Sequence, residues 1–345
     1  MSRKPSIRRL GVFSIFLAPG RLRAFARSSE FGLVLAAAIV GTVAGCVVTV
    51  MSLISQKMHQ FIFNLDNGER LSSTTSVNWL VLFLAPIAGG IILGIVLLIL
   101  ARYRKRPIVD PIEANALHGG RLSLNDSLIV VGQNLVSNGF GASVGLEAGY
   151  TQLASGLASK IGLSLQLRRS DLRILVGCGA AGAIAAAFNA PLTGSFYAFE
   201  LIIGSYTILS LTPVVVAALV SNLVAHALAG DNFLIDVGNF GSVVPADYVA
   251  ALLLGAFCAG AGVLLMMGVS FVEETARKSF IPPWLRPVLG GVLVGLLALV
   301  SPQILSGGHG ALHLNLDHAG PIVAVVGVLL LKALACAISI GSGFR

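Results

Sequence analysis

The chain has 345 residues, of which 56% are hydrophobic and 11% charged, and its mean hydropathy of +0.89 lies far outside the range of water-soluble domains. The net charge of +8 comes from an N-terminal cluster and short loops, with no basic stripe interleaved with aromatics, so a nucleic-acid partner is excluded. The expectation is an integral membrane protein whose main partner is the lipid bilayer.

Residues 1–30 carry Arg3, Lys4, Arg8, Arg9, Arg21, Arg23 and Arg27, and the positive-inside rule puts this segment in the cytoplasm. Residues 31–56 follow with Cys46 as their one ionisable side chain. At about 1.5 Å per residue such a run crosses a hydrocarbon core of roughly 30 Å. It is too long for the apolar core of a cleaved signal peptide, and no small-residue cleavage pattern follows it. A second span over residues 79–101 leads to Arg102, Arg104, Lys105 and Arg106, which are expected on the same side as the N-terminus. Further spans are expected at 174–199, 201–230, 248–272, 287–306 and 321–340, the last interrupted by Lys332. None alternates with period two, so helices and not a barrel must satisfy the backbone in lipid.

Residues 122–160 break this pattern. They read as two short helices separated by an irregular stretch, Ser137-Asn138-Gly139-Phe140-Gly141-Ala142-Ser143-Val144-Gly145. Unwound backbone at membrane depth is tolerated only beside protein or an aqueous cavity, and in transporters such breaks mark binding sites. At the second helix start, the amides of Gly145, Leu146, Glu147, Ala148 and Gly149 are free of intrahelical partners and lie at the positive end of a helix dipole. A small anion can dock there without the full positive charge that would hold it too tightly. Glu147 is itself an anion at that terminus and can compete for the seat, withdrawing when protonated. The alternative role is a first-turn acid that only stabilises its own helix.

The other polar features carry less. Glycine occurs 40 times, and most of these positions are expected to be places where helices approach closely. Cys46, Cys178, Cys258 and Cys336 lack ligand spacing and read as small hydrophobes. His309, His313 and His318 with Asp317 form no compact metal motif, and neither a metal nor any other cofactor is expected. An intramembrane enzyme would need a nucleophile, a base and an orienting group. Ser221 and His226 have no third member and His-Glu-x-x-His is absent, so no enzyme is expected.

Gly145-Leu146-Glu147-Ala148-Gly149 resembles the Gly-x-Glu-Gly-Pro signature of the ClC chloride channels and chloride–proton exchangers. The stretch from Ala180 through Phe188-Asn189-Ala190-Pro191-Leu192-Thr193-Gly194 to Phe199-Glu200 resembles that family's Ala-rich helix, turn and acidic helix almost residue for residue. The resemblance implies an all-α polytopic membrane bundle with broken and re-entrant helices, built as an inverted repeat. It implies a homodimer with a pore in each subunit, chloride or a similar small anion as the transported ligand, and Glu147 as the gate. On this reading 31–230 is the first membrane repeat, 231–246 a polar loop, and 247–345 a second repeat. That second repeat is read as incomplete, because the family's Gly-x-Phe-x-Pro loop and a later anion-contacting tyrosine would fall after Arg345. A non-conducting remnant is the corresponding alternative.

Two further departures shape the expected mechanism. The family's Gly-Ser-Gly-Ile-Pro segment falls on Pro107-Ile108-Val109-Asp110-Pro111, so Ile108 replaces the anion-binding serine and only the amides of Val109 and Asp110 remain as donors. The inner proton-transfer glutamate falls on Leu201, which cannot carry a proton. Passive conduction is therefore expected over strict proton exchange, with Glu200 as the one neighbouring candidate for a proton path. The bacterial inner membrane is the expected location.

Overall fold

A computed structural model describes residues 30–66, 69–73, 77–104, 106–230, 244–317 and 321–345. The basic N-terminal cluster, most of the 231–246 loop and His318 lie outside the described residues. The described residues form α-helices and short 3-10 or π turns with no strand. Six of the helices are long and apolar enough to cross a membrane.

The first two spans form single helices, α1 (Glu30–Phe63) and α2 (Trp79–Tyr103). After them comes the short α3 (Pro111–Leu117), with Asp110 as its N-cap and proline in its first turn. The predicted broken region is α4 (Leu124–Gly139) and α5 (Glu147–Ser164), separated by residues 140–146. These two helices run antiparallel. Ser159, near the end of α5, accepts from the Leu122 amide and donates to the Gly120 carbonyl, both just before α4. The pair therefore enters and leaves on one side, with the break at its tip.

Three expected spans are divided in the structure; the 287–306 run ends as a helix at Val300 and passes through extended Ser301 into a 3-10 turn. The 174–199 run is α6 (Arg169–Phe188), which stops at Asn189 in a left-handed conformation (φ 51°), followed by α7 (Pro191–Tyr197). Pro191 lacks an amide and disfavours helical geometry at the preceding residue, so uniform hydropathy could not carry one helix through it. The 201–230 run begins within a π turn (Ala198–Ile203) and bends at Gly204 (φ 73°). It becomes α8 (Ile208–Ala229) only after Thr207, whose side chain and that of Ser210 cap each other's amides. The last part comprises α9 (Pro245–Lys278), α10 (Arg286–Val300), a 3-10 turn (Pro302–Ile304), α11 (His309–Asp317) and α12 (Ile322–Ser342).

Small residues set the packing at the centre. A β-carbon at Gly41 would run into the Ala217 carbonyl of α8, and one at Gly182 would press on Ala44 and Ser221. Such contacts let α1, α6 and α8 share a core of Ala37, Val40, Ala181, Ala185, Phe199, Val214 and Ala217. Apolar burial provides no drive between helices in lipid, so this close approach supplies dispersion contacts instead. α9 is the opposite case. None of its residues is buried, and Leu252, Phe257, Leu264 and Phe271 are all at least 67% exposed. An apolar surface of that extent suits a membrane or a protein partner and not water.

The chain's last residues return to the break. α12 ends at Gly343 (φ 105°), and Phe344 is buried with Leu93, Ala142 and Val144. The Arg345 amide donates to Ser137 Oγ and the Ser143 amide to Ser339 Oγ, each at 3.1 Å.

Candidate functional site

Two asparagines one helical turn apart on α4 shape the break. Asn134 Nδ2 donates to the Gly145 carbonyl at 2.9 Å, and Asn138 Nδ2 donates to the Val144 carbonyl at 2.8 Å. A trans peptide carries its C=O and the next N–H in opposite directions. Drawing these two carbonyls back to α4 therefore turns the amides of Gly145 and Leu146 away from it. Among the described residues no backbone carbonyl accepts from the amides of Gly145 through Gly149, and the first regular helix bond runs from Tyr150 to Leu146. The Leu146 N-cap has no side-chain acceptor to offer them. The break thus presents a cluster of N–H groups without backbone acceptors at the positive end of an 18-residue helix.

Glu147 occupies that cluster. Its half-buried side chain folds back to accept from its own amide. A β-carbon at Gly145 would collide with the carboxylate, so the fold-back needs a glycine two residues upstream. Asn138 locks the surroundings. Its Oδ1 accepts from Ser55 of α1, its carbonyl is bonded to the His59 ring at 2.9 Å, and its amide also reaches Ser306 Oγ at 3.0 Å. Neither asparagine was distinguishable from the general polarity of α4, which also carries Asn125, Asp126, Ser127, Gln133 and Ser137; their i, i+4 spacing just before the glycine-rich break is the signal that points to them.

A cavity of about 390 Å³ opens beside the carboxylate. α1 lines it with Ser52, Ser55 and His59, the chain before α2 with Glu69 and Arg70, and the 306–310 turn with Ser306, Gly307 and His309. Burial pushes the Arg70 guanidinium down from its ordinary value, yet an arginine remains a cation there. Behind the 306–308 turn stands Lys332 of α12, whose ammonium donates to the carbonyls of Ile304 (2.8 Å) and Ser306. Sequence reading passed over Lys332 as an interruption in a span. The informative signal was a lone cation within 21 helical residues.

The other anticipated donors approach from a different element. Val109 comes to α5 through its carbonyl, which accepts from Gln152 Nε2 at 3.1 Å, while the Asp110 carboxylate caps α3 by accepting from the Glu113 amide. Residues 109–110 are therefore brought to the first turns of α5, near Thr151, whose side chain is hydrogen-bonded to Tyr197. Glu200 is not brought there. It is exposed, accepts from Tyr206 at 3.0 Å, and does not line the cavity. Phe188 stacks on His309, and the side chains of His313 and Asp317 lie outside the described residues. Gly141-Ala142-Ser143-Val144-Gly145 does spell the Gly-x-Ser-x-Gly of a hydrolase nucleophile. It stands at a helix-to-helix break instead of a strand-to-helix turn, and the Ser143 hydroxyl is buried with no hydrogen-bond partner among the described residues to act as base.

Comparison with known proteins places this arrangement. The family model described as voltage gated chloride channel matches residues 89–345. A chloride channel protein described as ClcB-like from Ralstonia nicotianae is 29% identical over 293 residues, 84% of this chain and 68% of that protein. The voltage-gated ClC-type chloride channel ClcB of Shigella boydii is 28% identical over 324 residues, 91% of this chain and 75% of that protein. Among solved structures, a slow cyanobacterial Cl⁻/H⁺ antiporter superposes with a TM-score of 0.71 at 22% identity over 90% of this chain and 74% of its own. A eukaryotic CLC transporter gives 0.63 at 15% identity over 90% of this chain and 55% of its own. At these identities the two structures attest the fold alone.

Proposed function

Because the chain belongs to the voltage gated chloride channel family, whose members move anions across membranes, we propose that it conducts chloride or a similar small inorganic anion, with Glu147 as the gate. The observation that carries this reading is the Glu147 carboxylate folded back onto its own amide at the start of α5, beside neighbouring amides that no described backbone carbonyl takes up, at the edge of a cavity. Ionised, the carboxylate fills the seat an anion would use. Protonated, it loses its attraction for the amides and the dipole, and an anion can replace it. Amides of residues 145–149, with those of Val109 and Asp110, are the donors an anion meets. They are neutral groups in low dielectric, strong enough to replace hydration and weak enough to release. No cofactor is required.

Conduction is proposed as passive, because Leu201 stands beside Glu200 where a second acid would be needed and Glu200 lies apart from the cavity. Proton-coupled exchange is the second reading, favoured by the exposed Glu200–Tyr206 pair as a proton entry point. The proposal extends to a homodimer in a bacterial inner membrane, with the N-terminus cytoplasmic, 31–230 as one repeat and 247–345 as part of its inverted partner.

The test is chloride efflux from liposomes containing the protein, recorded as pH is varied. Wild type should conduct more as pH falls, and Glu147→Gln, a permanent mimic of the neutral acid, should conduct at every pH with little response. A Glu147→Gln protein that keeps the wild-type pH profile sinks the gate. Stoichiometric uphill proton movement in the same vesicles would replace the passive reading with exchange.

A further inference from the structure

Lys332 is the sole charged residue of α12. A cation at membrane depth is costly, and such residues are retained where they pair with another group or serve an ion pathway. Packing does not call for it, since an unbranched apolar side chain would fill the same space. Its ammonium has three donors, two of which hold the carbonyls of Ile304 and Ser306. Ser306 is strained in consequence. It adopts the left-handed region (φ 55°), which is unfavourable for a residue other than glycine. It is held there through its amide to Gly141, its hydroxyl to Asn138 and its carbonyl to Lys332.

Between Lys332 and the gate lie glycines. A β-carbon at Gly308 would sit 3.5 Å from Lys332 Nζ, and one at Gly307 would sit 3.8 Å from the Gly145 α-carbon, over which the Glu147 carboxylate is folded. Glycine backbone thus stands between the ammonium and the seat, and charges so placed in a low-dielectric interior act on one another. Two of its three donors are taken by carbonyls behind the turn, so the role argued for the ammonium is through its field.

We infer that Lys332 is the fixed counter-charge of the conduction path, setting the potential at the Glu147 seat so that an anion is favoured there, whether the carboxylate or the passing ion. This rests on the gate reading above. Other charged or titratable groups face the seat: His59 from α1, Glu69 and Arg70 from the cavity wall, and His309 from α11. Tyr150 on α5, Tyr197 on α7, Asp110 before α3 and Cys336 on α12 complete the set. Lys332 differs from Arg70 in being embedded in an apolar helix, where its field is least screened.

The experiment compares Lys332→Gln and Lys332→Arg with wild type in chloride affinity, by calorimetric titration of the purified protein, and in the pH profile of efflux. Lys332→Gln retains donors for the two carbonyls and removes the charge. It should weaken chloride binding about tenfold and move the half-activation of efflux upward by about one pH unit, since a carboxylate without a nearby cation takes up its proton more readily. Lys332→Arg should restore both. If Lys332 only staples the 304–306 carbonyls, Lys332→Gln will leave chloride affinity and half-activation where they were, which overturns the inference. Repeating the titration of Lys332→Gln in the Glu147→Gln background, where no carboxylate competes for the seat, decides the counter-charge separately from the gate: the loss of affinity should persist there, and its absence overturns the inference.

Discussion

The bend after α4 and the bend before α11 meet across the cavity, yet they satisfy their backbones differently. In residues 140–146, side-chain amides of Asn134 and Asn138 draw the carbonyls back and leave the following N–H groups facing the site. In residues 304–306 a cation, Lys332, draws the carbonyls back. Both bends turn their electronegative atoms away from the cavity, one with neutral donors and one with a full charge. A pathway for anions needs this polarity at every irregular stretch, because an exposed carbonyl would repel the ion that an exposed amide attracts.

Removing the hub between the bends should give the largest effect. Asn138→Ala breaks hydrogen bonds to Ser55, Val144 and Ser306 together, and buried polar groups left without partners cost about 1–3 kcal/mol each. A clear fall in melting temperature in detergent is expected, accompanied by loss of efflux; an unchanged melting temperature would mean that the two bends are held independently. Gly145→Ala is gentler on the fold and more specific to the proposed gate. Its β-carbon displaces the Glu147 carboxylate, and about tenfold more efflux at neutral pH is expected, equivalent to about 1.4 kcal/mol lost from the seated state. Efflux no higher than wild type would show that the carboxylate does not block from this position. The smallest effect belongs to Ser306→Gly, which relieves the left-handed strain while deleting the hydroxyl bond to Asn138. Each change is worth about 1 kcal/mol and they oppose one another. A melting temperature close to wild type is expected, whereas a large fall would assign the turn's stability to the hydroxyl.

Much of this was readable before any coordinates. Long apolar runs located α1, α2, α9 and, across the interruption at Lys332, α12, because a membrane requires backbone satisfaction within each segment and hydropathy reports that requirement. The glycines and Glu147 located the break, because few sequences combine helix-breaking residues with an acid in so apolar a setting. Hydropathy misled at Asn189–Pro191 and at Gly204, where the chain bends without any drop in apolar character. It also could not separate α6, most of which is buried, from α9, none of which is, since lipid and protein interior favour the same side chains.

By itself the sequence determined the solvent, the helical class, the position of the break and the family, all of which depend on local composition and near-neighbour spacing. Tertiary structure decided which groups face one another: the asparagine pair that orients the break, the Ser306 turn opposite it, and Lys332 behind that turn, 185 positions after Glu147 in the chain. The physical reason is that the potential at a point in a low-dielectric interior is a sum over groups gathered in space, and separation along the chain says nothing about which charges enter that sum.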